Sequence, residues 1–191
     1  MSRFLIAIAA VSILLAGCGG GGDTTDSERA GDAGILNEAL ARELTQVAAY
    51  TQGLPLLHGQ TRVLGQRLRS QEQEHVDALV KAIKGLEEET DAEAEEVDFS
   101  EVKTEDDFLT LAYELGASAL GSYIDAAPTL YTSAPRVLAS SLAASEAQHL
   151  VILRQALGAG LAESIPRGFD IGEEPPPELP GSSGEPPPGQ G

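Results

Sequence analysis

Two short stretches, Glu72-Gln73-Glu74-His75 and Glu146-Ala147-Gln148-His149, share one pattern: a carboxylate is followed three residues later by an imidazole. On an α-helix, side chains three positions apart lie on one face, one turn from each other. Each pair can therefore hold a metal ion from a single helix. The two pairs use two of the three histidines in the chain, and His58 lies near a proline and glycine turn without such a partner. We therefore interpret the pairs as metal ligands rather than as surface charge.

Another glutamate precedes each pair on a separate apolar segment: Glu43 before the first pair and Glu114 before the second. Glu43 falls on a helical stripe with Leu36, Leu40 and Val47. A carboxylate on such a stripe is costly to bury unless it is paired or bound to a metal. The resulting order, Glu, Glu-x-x-His, Glu, Glu-x-x-His, is the ligand set of the di-iron and di-manganese carboxylate four-helix bundles.

The composition favours one all-α domain. Apolar residues make up 42% of the 191 residues and are mainly Ala and Leu, while aromatic residues make up 4% and Trp is absent. Such a composition is typical of closely packed helices. The net charge of -18 repels nucleic acid and disfavours electrostatic docking on anionic lipid. We therefore expect no nucleic-acid partner, and any membrane attachment must be covalent or hydrophobic.

The N-terminus has the pattern of an exported bacterial lipoprotein. Arg3 is followed by the apolar run Phe4 to Ala16, which is too short to span a membrane and suits a signal peptide of residues 1–17. The run ends in Leu15-Ala16-Gly17-Cys18, which resembles the lipobox, in which the cysteine is lipidated. This predicts an extracytoplasmic protein anchored to a bacterial membrane through Cys18. The alternative is a plain secretory signal with an incidental cysteine.

The remaining chain divides into a tether, a bundle and a tail. Residues 18–33 are rich in Gly, Asp, Ser and Thr and predict a flexible tether, and residues 161–191 are rich in Pro, Gly and Glu and predict a disordered tail. Residues 34–160 form the predicted four-helix bundle, with proline and glycine marking the helix ends. The acidic stretch from Glu87 to Asp107 is the longest connection between helices. It predicts a ferritin-like topology with a long crossover between helices 2 and 3.

The ligand set indicates how a metal centre would be arranged. Four carboxylates balance the charge of two divalent ions, which makes burial tolerable. In this arrangement Glu72 and Glu146 bridge the ions. Two pairs of terminal ligands, Glu43 with His75 and Glu114 with His149, complete the coordination. Oxygen-rich donors without a thiolate suit two iron ions or manganese, although zinc could bind by affinity alone.

Two tyrosines lie near the predicted ligands in the sequence. Tyr50 follows Glu43 by seven residues and is predicted to donate a hydrogen bond to a ligand from the same helix face. Tyr123 follows Glu114 by nine residues and is predicted to point away from the site.

Two local motifs carry a resemblance to a known family. They are Leu36-Asn-x-Ala-Leu-x-x-Glu43 with Tyr50, and Glu146-x-x-His149-Leu-x-x-Leu-Arg-x-Ala-Leu-Gly158. From Leu36 to Gly158 the chain resembles the ferritin-like superfamily, close to bacterial ferritin-like domain proteins and rubrerythrin-type bundles. The resemblance implies a di-iron or di-manganese centre that oxidises ferrous iron or reduces peroxide. The chain departs from the family in lacking a tyrosine seven residues after Glu114, and no Cys-x-x-Cys rubredoxin module follows.

Two functions remain open on the sequence. The first is a di-metal oxidoreductase that acts on a metal ion or a small oxidant and receives electrons from a redox partner. The second is a non-catalytic metal-binding or scaffold lipoprotein of the cell envelope.

Overall fold

A computed structural model describes residues 24–165, which fold into four long α-helices and one short 3-10 turn. The helices are α1 (Asp26–Gly53), α2 (Gly59–Gly85), α3 (Glu105–Ala126) and α4 (Ser133–Ala156), with the 3-10 turn at Leu54–Leu56. The described range contains no β-strand, which confirms the predicted all-α four-helix bundle. The signal peptide, Cys18 and nearly all of the predicted tail lie outside the described residues.

Helix α1 begins earlier than the composition of the predicted tether suggested. Residues 26–33 are helical, so the N-terminal boundary of the folded part lies before the expected residue 34. Thr25 accepts a hydrogen bond from the backbone N–H of Glu28, and the Glu28 side chain accepts one from the Thr25 backbone. This reciprocal cap satisfies two backbone donors that a helix start leaves unpaired, and it holds the polar segment in a helix.

The helices pack as two hairpins, α1 against α2 and α3 against α4, joined by residues 86–104. This connection follows α1 along its length. The side chain of Asn37 binds the backbone of Glu89 and Asp91, and further along Thr45 accepts a hydrogen bond from the backbone N–H of Glu95. The long crossover predicted between helices 2 and 3 is therefore present. None of the helices within residues 24–165 is long and apolar enough to cross a membrane.

Helix α3 begins with Thr104 as its N-cap, and Asp107 completes the reciprocal cap. The crossover brings this start next to the C-terminal end of α1, where the ring of Phe108 packs edge-on against Tyr50 at 5.6 Å between centroids. At the opposite end of α1, Asp32 accepts hydrogen bonds from the backbone N–H groups of Tyr131 and Thr132, both at 2.8 Å. Helix α3 therefore runs antiparallel to α1.

Two apolar clusters fill the bundle. One contains Leu36, Leu40, Leu79, Ile83 and Leu142, and the other contains Leu57, Leu68, Phe108, Leu109 and Leu153. The glutamate and histidine side chains of the Glu-x-x-His pairs lie at positions between these clusters on α2 and α4, as Glu43 does on α1. The fold thus places a layer of ionisable groups in the middle of the bundle, with apolar packing on both sides.

Candidate metal centre

Five of the six predicted ligands meet in the bundle core. They come from three helices and each is at most 7% exposed: Glu43 on α1, Glu72 and His75 on α2, and Glu146 and His149 on α4. We call these five residues the core cluster. The helical spacing of each Glu-x-x-His pair places its carboxylate and imidazole on the inward face, as the sequence predicted.

Three carboxylates surround the imidazole of His75. Its Nδ1 atom lies 3.3 Å from Glu43 Oε2, 3.1 Å from Glu72 Oε2 and 3.3 Å from Glu146 Oε1. Ligand atoms from these four residues all lie within 4.8 Å of one another. Four donors converging at such distances can coordinate one metal ion after small side-chain adjustments.

Glu72 and Glu146 lie between the two imidazoles. While one oxygen of each faces His75, the other faces His149, whose Nδ1 atom lies 3.1 Å from Glu72 Oε1 and 3.6 Å from Glu146 Oε2. The rings of His75 and His149 stack at 5.6 Å between centroids, with 14° between their planes. Glu72 and Glu146 therefore each face both imidazoles, and their predicted role as bridging ligands stays a prediction.

The core cluster contains buried polar atoms that lack a hydrogen bond of normal geometry. Within residues 24–165 these include both carboxylate oxygens of Glu72 and Glu146 and both ring nitrogens of His149. Buried polar groups in native proteins nearly always have a partner, because an unsatisfied one costs about 1–3 kcal/mol. The donor set of carboxylates and imidazoles without thiolate fits an iron or manganese ion as that partner.

The charges of the core cluster shift its pKa values strongly. Burial raises the pKa of Glu43 to about 7. Although burial opposes it, the imidazoles of His149 and His75 lower the pKa of Glu72 to about 2. Burial likewise disfavours the imidazolium forms, yet the neighbouring carboxylates, first among them Glu146, raise the pKa of His75 to about 12 and that of His149 to about 9. Without a metal, protons on the imidazoles thus compensate the buried carboxylates, and a metal ion would replace them.

Glu114 does not join the core cluster. Its side chain is exposed, and the predicted convergence of all six residues is wrong at this position. The inward face of α3 carries Gly116 instead, where an added Cβ would lie 3.4 Å from Glu146 Oε2 and 3.3 Å from Leu150 Cδ2. Two positions along a helix correspond to a rotation of about 200°, so Glu114 and Gly116 lie on opposite faces. The cluster therefore has three carboxylates rather than four.

Tyr123 contacts the core cluster, contrary to the prediction that it points away. Its hydroxyl donates a hydrogen bond to Glu43 Oε1. Burial and then the charge of Glu43 raise the pKa of Tyr123, so the phenol stays protonated and remains a donor. A cavity of about 300 Å³ between α1 and α3 has Tyr123 in its lining. Tyr123 was missed because its position was counted from Glu114. It follows Gly116 by seven residues, the same spacing that separates Tyr50 from Glu43.

Two further side chains hold the ligands and were also missed. Gln46, 2% exposed, directs its Nε2 atom to Glu43 Oε2 at 3.5 Å. The Oγ atom of Ser145 lies 3.0 Å from Nε2 of His75, which leaves Nδ1 of that ring facing the carboxylates. Gln46 could have been predicted from the sequence, because residues three positions apart, such as Glu43 and Gln46, lie on the same face of a helix. Ser145 gave none beyond its place next to Glu146.

Tyr50 is buried near the core cluster, at 3% exposure. Burial, followed by the charges of Glu72 and Glu146, raises its pKa. Its predicted hydrogen bond to a ligand stays a prediction.

The model of the ferritin-like domain family matches residues 31–159, which is most of the chain. The chain belongs to the ferritin-like family. No curated protein sequence matches it significantly. Two solved structures share the fold: a conserved hypothetical protein, rv2844, from Mycobacterium tuberculosis, with a TM-score of 0.63, and ferritin like, diiron-carboxylate proteins from Bacillus anthracis str. Ames, with a TM-score of 0.61.

Both structures are distant in sequence. The Mycobacterium protein is 19% identical, and the match covers 70% of this chain and 94% of that one. The Bacillus protein is 20% identical, and the match covers 69% of this chain and 98% of that one. These likenesses show the fold alone. This ferritin-like protein departs from the four-carboxylate ligand set of di-metal bundles at Gly116.

Proposed function

We propose that this ferritin-like protein is a lipid-anchored, extracytoplasmic protein of a bacterial envelope that binds iron, or manganese in its place, at the core cluster. The observation that supports metal binding is the set of buried carboxylate oxygens of Glu72 and Glu146 without a hydrogen bond of normal geometry. A divalent ion satisfies these atoms and offsets their charge. The anchor rests on the lipobox pattern at Cys18.

The first candidate activity is the oxidation of ferrous iron or the reduction of peroxide. A bound metal ion would supply redox capacity and polarise a bound small oxidant. The electrons balance when two ferrous ions each lose one electron and one hydrogen peroxide molecule takes up both, with two protons, to form two waters. Sustained peroxide reduction without ferrous substrate needs electrons from elsewhere, because the single cysteine, Cys18, gives this chain no Cys-x-x-Cys module. We therefore include a separate redox partner in this proposal.

The side chains around the cluster have defined roles in this proposal. Tyr123 fixes Glu43 by its hydrogen bond, and Ser145 fixes the ring of His75 so that Nδ1 faces the ion. The apolar clusters on both sides exclude bulk water, which strengthens the interaction of the ion with its ligands.

The second candidate function is a metal-binding or scaffold module without turnover. Gly116 favours it, because the loss of the fourth carboxylate removes a ligand of the paired-ion arrangement that the family uses for oxygen chemistry.

Metal content and turnover separate the two functions. The full-length protein, purified in detergent, is loaded under anaerobic conditions with ferrous iron or, in a parallel sample, with Mn²⁺, and is then dialysed and assayed for bound metal. The iron-loaded sample is assayed for oxygen uptake and peroxide loss. Bound iron with turnover supports the oxidoreductase, and bound iron without turnover supports the binding module. A protein that retains neither iron nor manganese contradicts both metal-binding proposals.

A matched pair of variants on α2 controls this experiment. Glu72→Gln removes a buried ligand, whereas Glu74→Gln removes the same charge from an exposed position two residues away. We expect metal retention to fall at least about tenfold in the first variant and to remain at the wild-type level in the second. Equal retention in both variants would show that the metal binds elsewhere.

A further inference from the structure

The two helical hairpins, α1–α2 and α3–α4, contribute unequally to the core cluster. The first half of the bundle (α1–α2) and the second half (α3–α4) differ at the inward positions of α1 and α3. Glu43 lies 29 residues before Glu72, and Gly116 lies 30 residues before Glu146. Each is followed seven residues later by a buried tyrosine, Tyr50 or Tyr123. Gly116 is therefore the counterpart of Glu43 in the second half, and it brings no donor atom.

The backbone of α3 also leaves little room at this point. An added Cβ on Gly116 would lie 3.3 Å from Leu150 Cδ2 and 3.4 Å from Glu146 Oε2. The first distance is tighter than ordinary packing, and the second is an ordinary van der Waals contact. A side chain at position 116 would therefore require Leu150 to shift by a few tenths of an ångström.

The two histidines also differ at Nε2, the ring nitrogen that points away from the carboxylates. Nε2 of His75 lies 3.0 Å from Ser145 Oγ, whereas Nε2 of His149 is buried without a hydrogen-bond partner. Metal-ligating histidines almost always donate their second N–H to a neighbouring group, which fixes the ring and raises its basicity. Within residues 24–165, only the ring of His75 therefore has its Nε2 atom held by a neighbouring side chain.

We infer that the core cluster binds a single metal ion, held by the ligand set of Glu43, Glu72, His75 and Glu146. His149 stays beside Glu72 and Glu146 without binding the ion. The inference rests on the proposed metal binding but departs from the two-ion centre expected from the family resemblance.

The number of Mn²⁺ ions bound by the full-length protein in detergent tests this inference. Equilibrium dialysis against Mn²⁺ gives the stoichiometry, and electron paramagnetic resonance distinguishes an isolated ion from a magnetically coupled pair. We expect one ion per chain with the hyperfine pattern of isolated Mn²⁺. Two ions of similar affinity with a coupled spectrum would overturn the one-ion site while leaving metal binding intact. No bound ion would overturn metal binding itself and the inference with it.

Two histidine variants provide a second readout. His149→Gln should still bind one ion, whereas His75→Gln should bind it at least about tenfold more weakly. Circular dichroism of both variants establishes that they remain helical. If His149→Gln reduces the stoichiometry from two ions to one, His149 is a ligand and the inference is wrong. A one-ion wild type that loses its ion in His149→Gln alone, and not in His75→Gln, would equally overturn the assignment.

Discussion

The hydroxyl of Tyr123 on α3 donates a hydrogen bond to Oε1 of Glu43 on α1, inside the bundle core. Both residues are nearly inaccessible, at 2% and 0% exposure. The bond therefore joins two helices at the level of the core cluster and fixes one oxygen of Glu43, while the other oxygen faces His75. Helix α3 thus contributes to the cluster through a phenol, although it supplies no carboxylate.

We expect Tyr123→Phe to weaken metal binding by about tenfold to a hundredfold, because Glu43 loses the group that orients it. The variant should also destabilise the fold by about 1–3 kcal/mol, since a buried carboxylate oxygen loses its hydrogen bond. Mn²⁺ titration and urea denaturation measure the two effects. Tyr131→Phe is the matched control, because Tyr131 is 61% exposed and should change neither quantity. Wild-type affinity in Tyr123→Phe would show that the bond does not position Glu43.

The errors at Glu114 and Tyr123 have one cause. A search for carboxylates at helical positions selects Glu114, and a tyrosine expected seven residues later is then missing. The bundle instead aligns Gly116 with Glu43, and Tyr123 then takes the position that Tyr50 has in the first half. The rotation of α3 depends on its packing against α1 and α4, which a search for ligand residues does not detect where the inward position is a glycine.

The other ligands were predictable because several local signals agree. Glu43 lies on an apolar stripe, and each Glu-x-x-His spacing places its two donors on one buried face, so periodicity alone puts these residues in the core. The acidic composition of residues 87–107 likewise predicted the crossover. Asp32 gave no such signal, because its partners are about a hundred residues away and the surrounding segment is polar.

Asp32 links the start of α1 to the start of α4, and we expect Asp32→Ala to destabilise the protein by about 3 kcal/mol. The substitution leaves the backbone N–H groups of Tyr131 and Thr132 without their acceptor. Urea denaturation of the metal-free protein gives the change in unfolding free energy. Asp125→Ala removes an aspartate from an exposed position and should have an effect within about 0.5 kcal/mol. Similar losses in the two variants would argue against a specific role for Asp32.

Cys18 determines the predicted location of the protein. In a bacterial host that lipidates such sequences, the wild type should fractionate with membranes and Cys18→Ser should move to the soluble extracytoplasmic fraction. The charge of -18 offers no electrostatic attraction to anionic lipid that would retain it. Metabolic labelling with a fatty acid provides an independent measurement, with label expected on the wild type only. Membrane retention of Cys18→Ser would contradict a lipid anchor at this residue.

Two glycines on α1 should respond in opposite directions to the same change. At Gly53 an added Cβ would clash with Cε2 of Phe108, a fully buried ring at the start of α3. Gly53→Ala should therefore destabilise the protein by about 1–3 kcal/mol, because the ring must move within a packed core. At Gly34 no atom lies within 4 Å of the added Cβ, and the position is helical and exposed. Gly34→Ala should stabilise by roughly 0.5–1 kcal/mol through helix propensity alone. Thermal unfolding of both variants measures the difference. If both stabilise the protein, Phe108 does not pack on Gly53, and the crossover delivers α3 to a different place on α1.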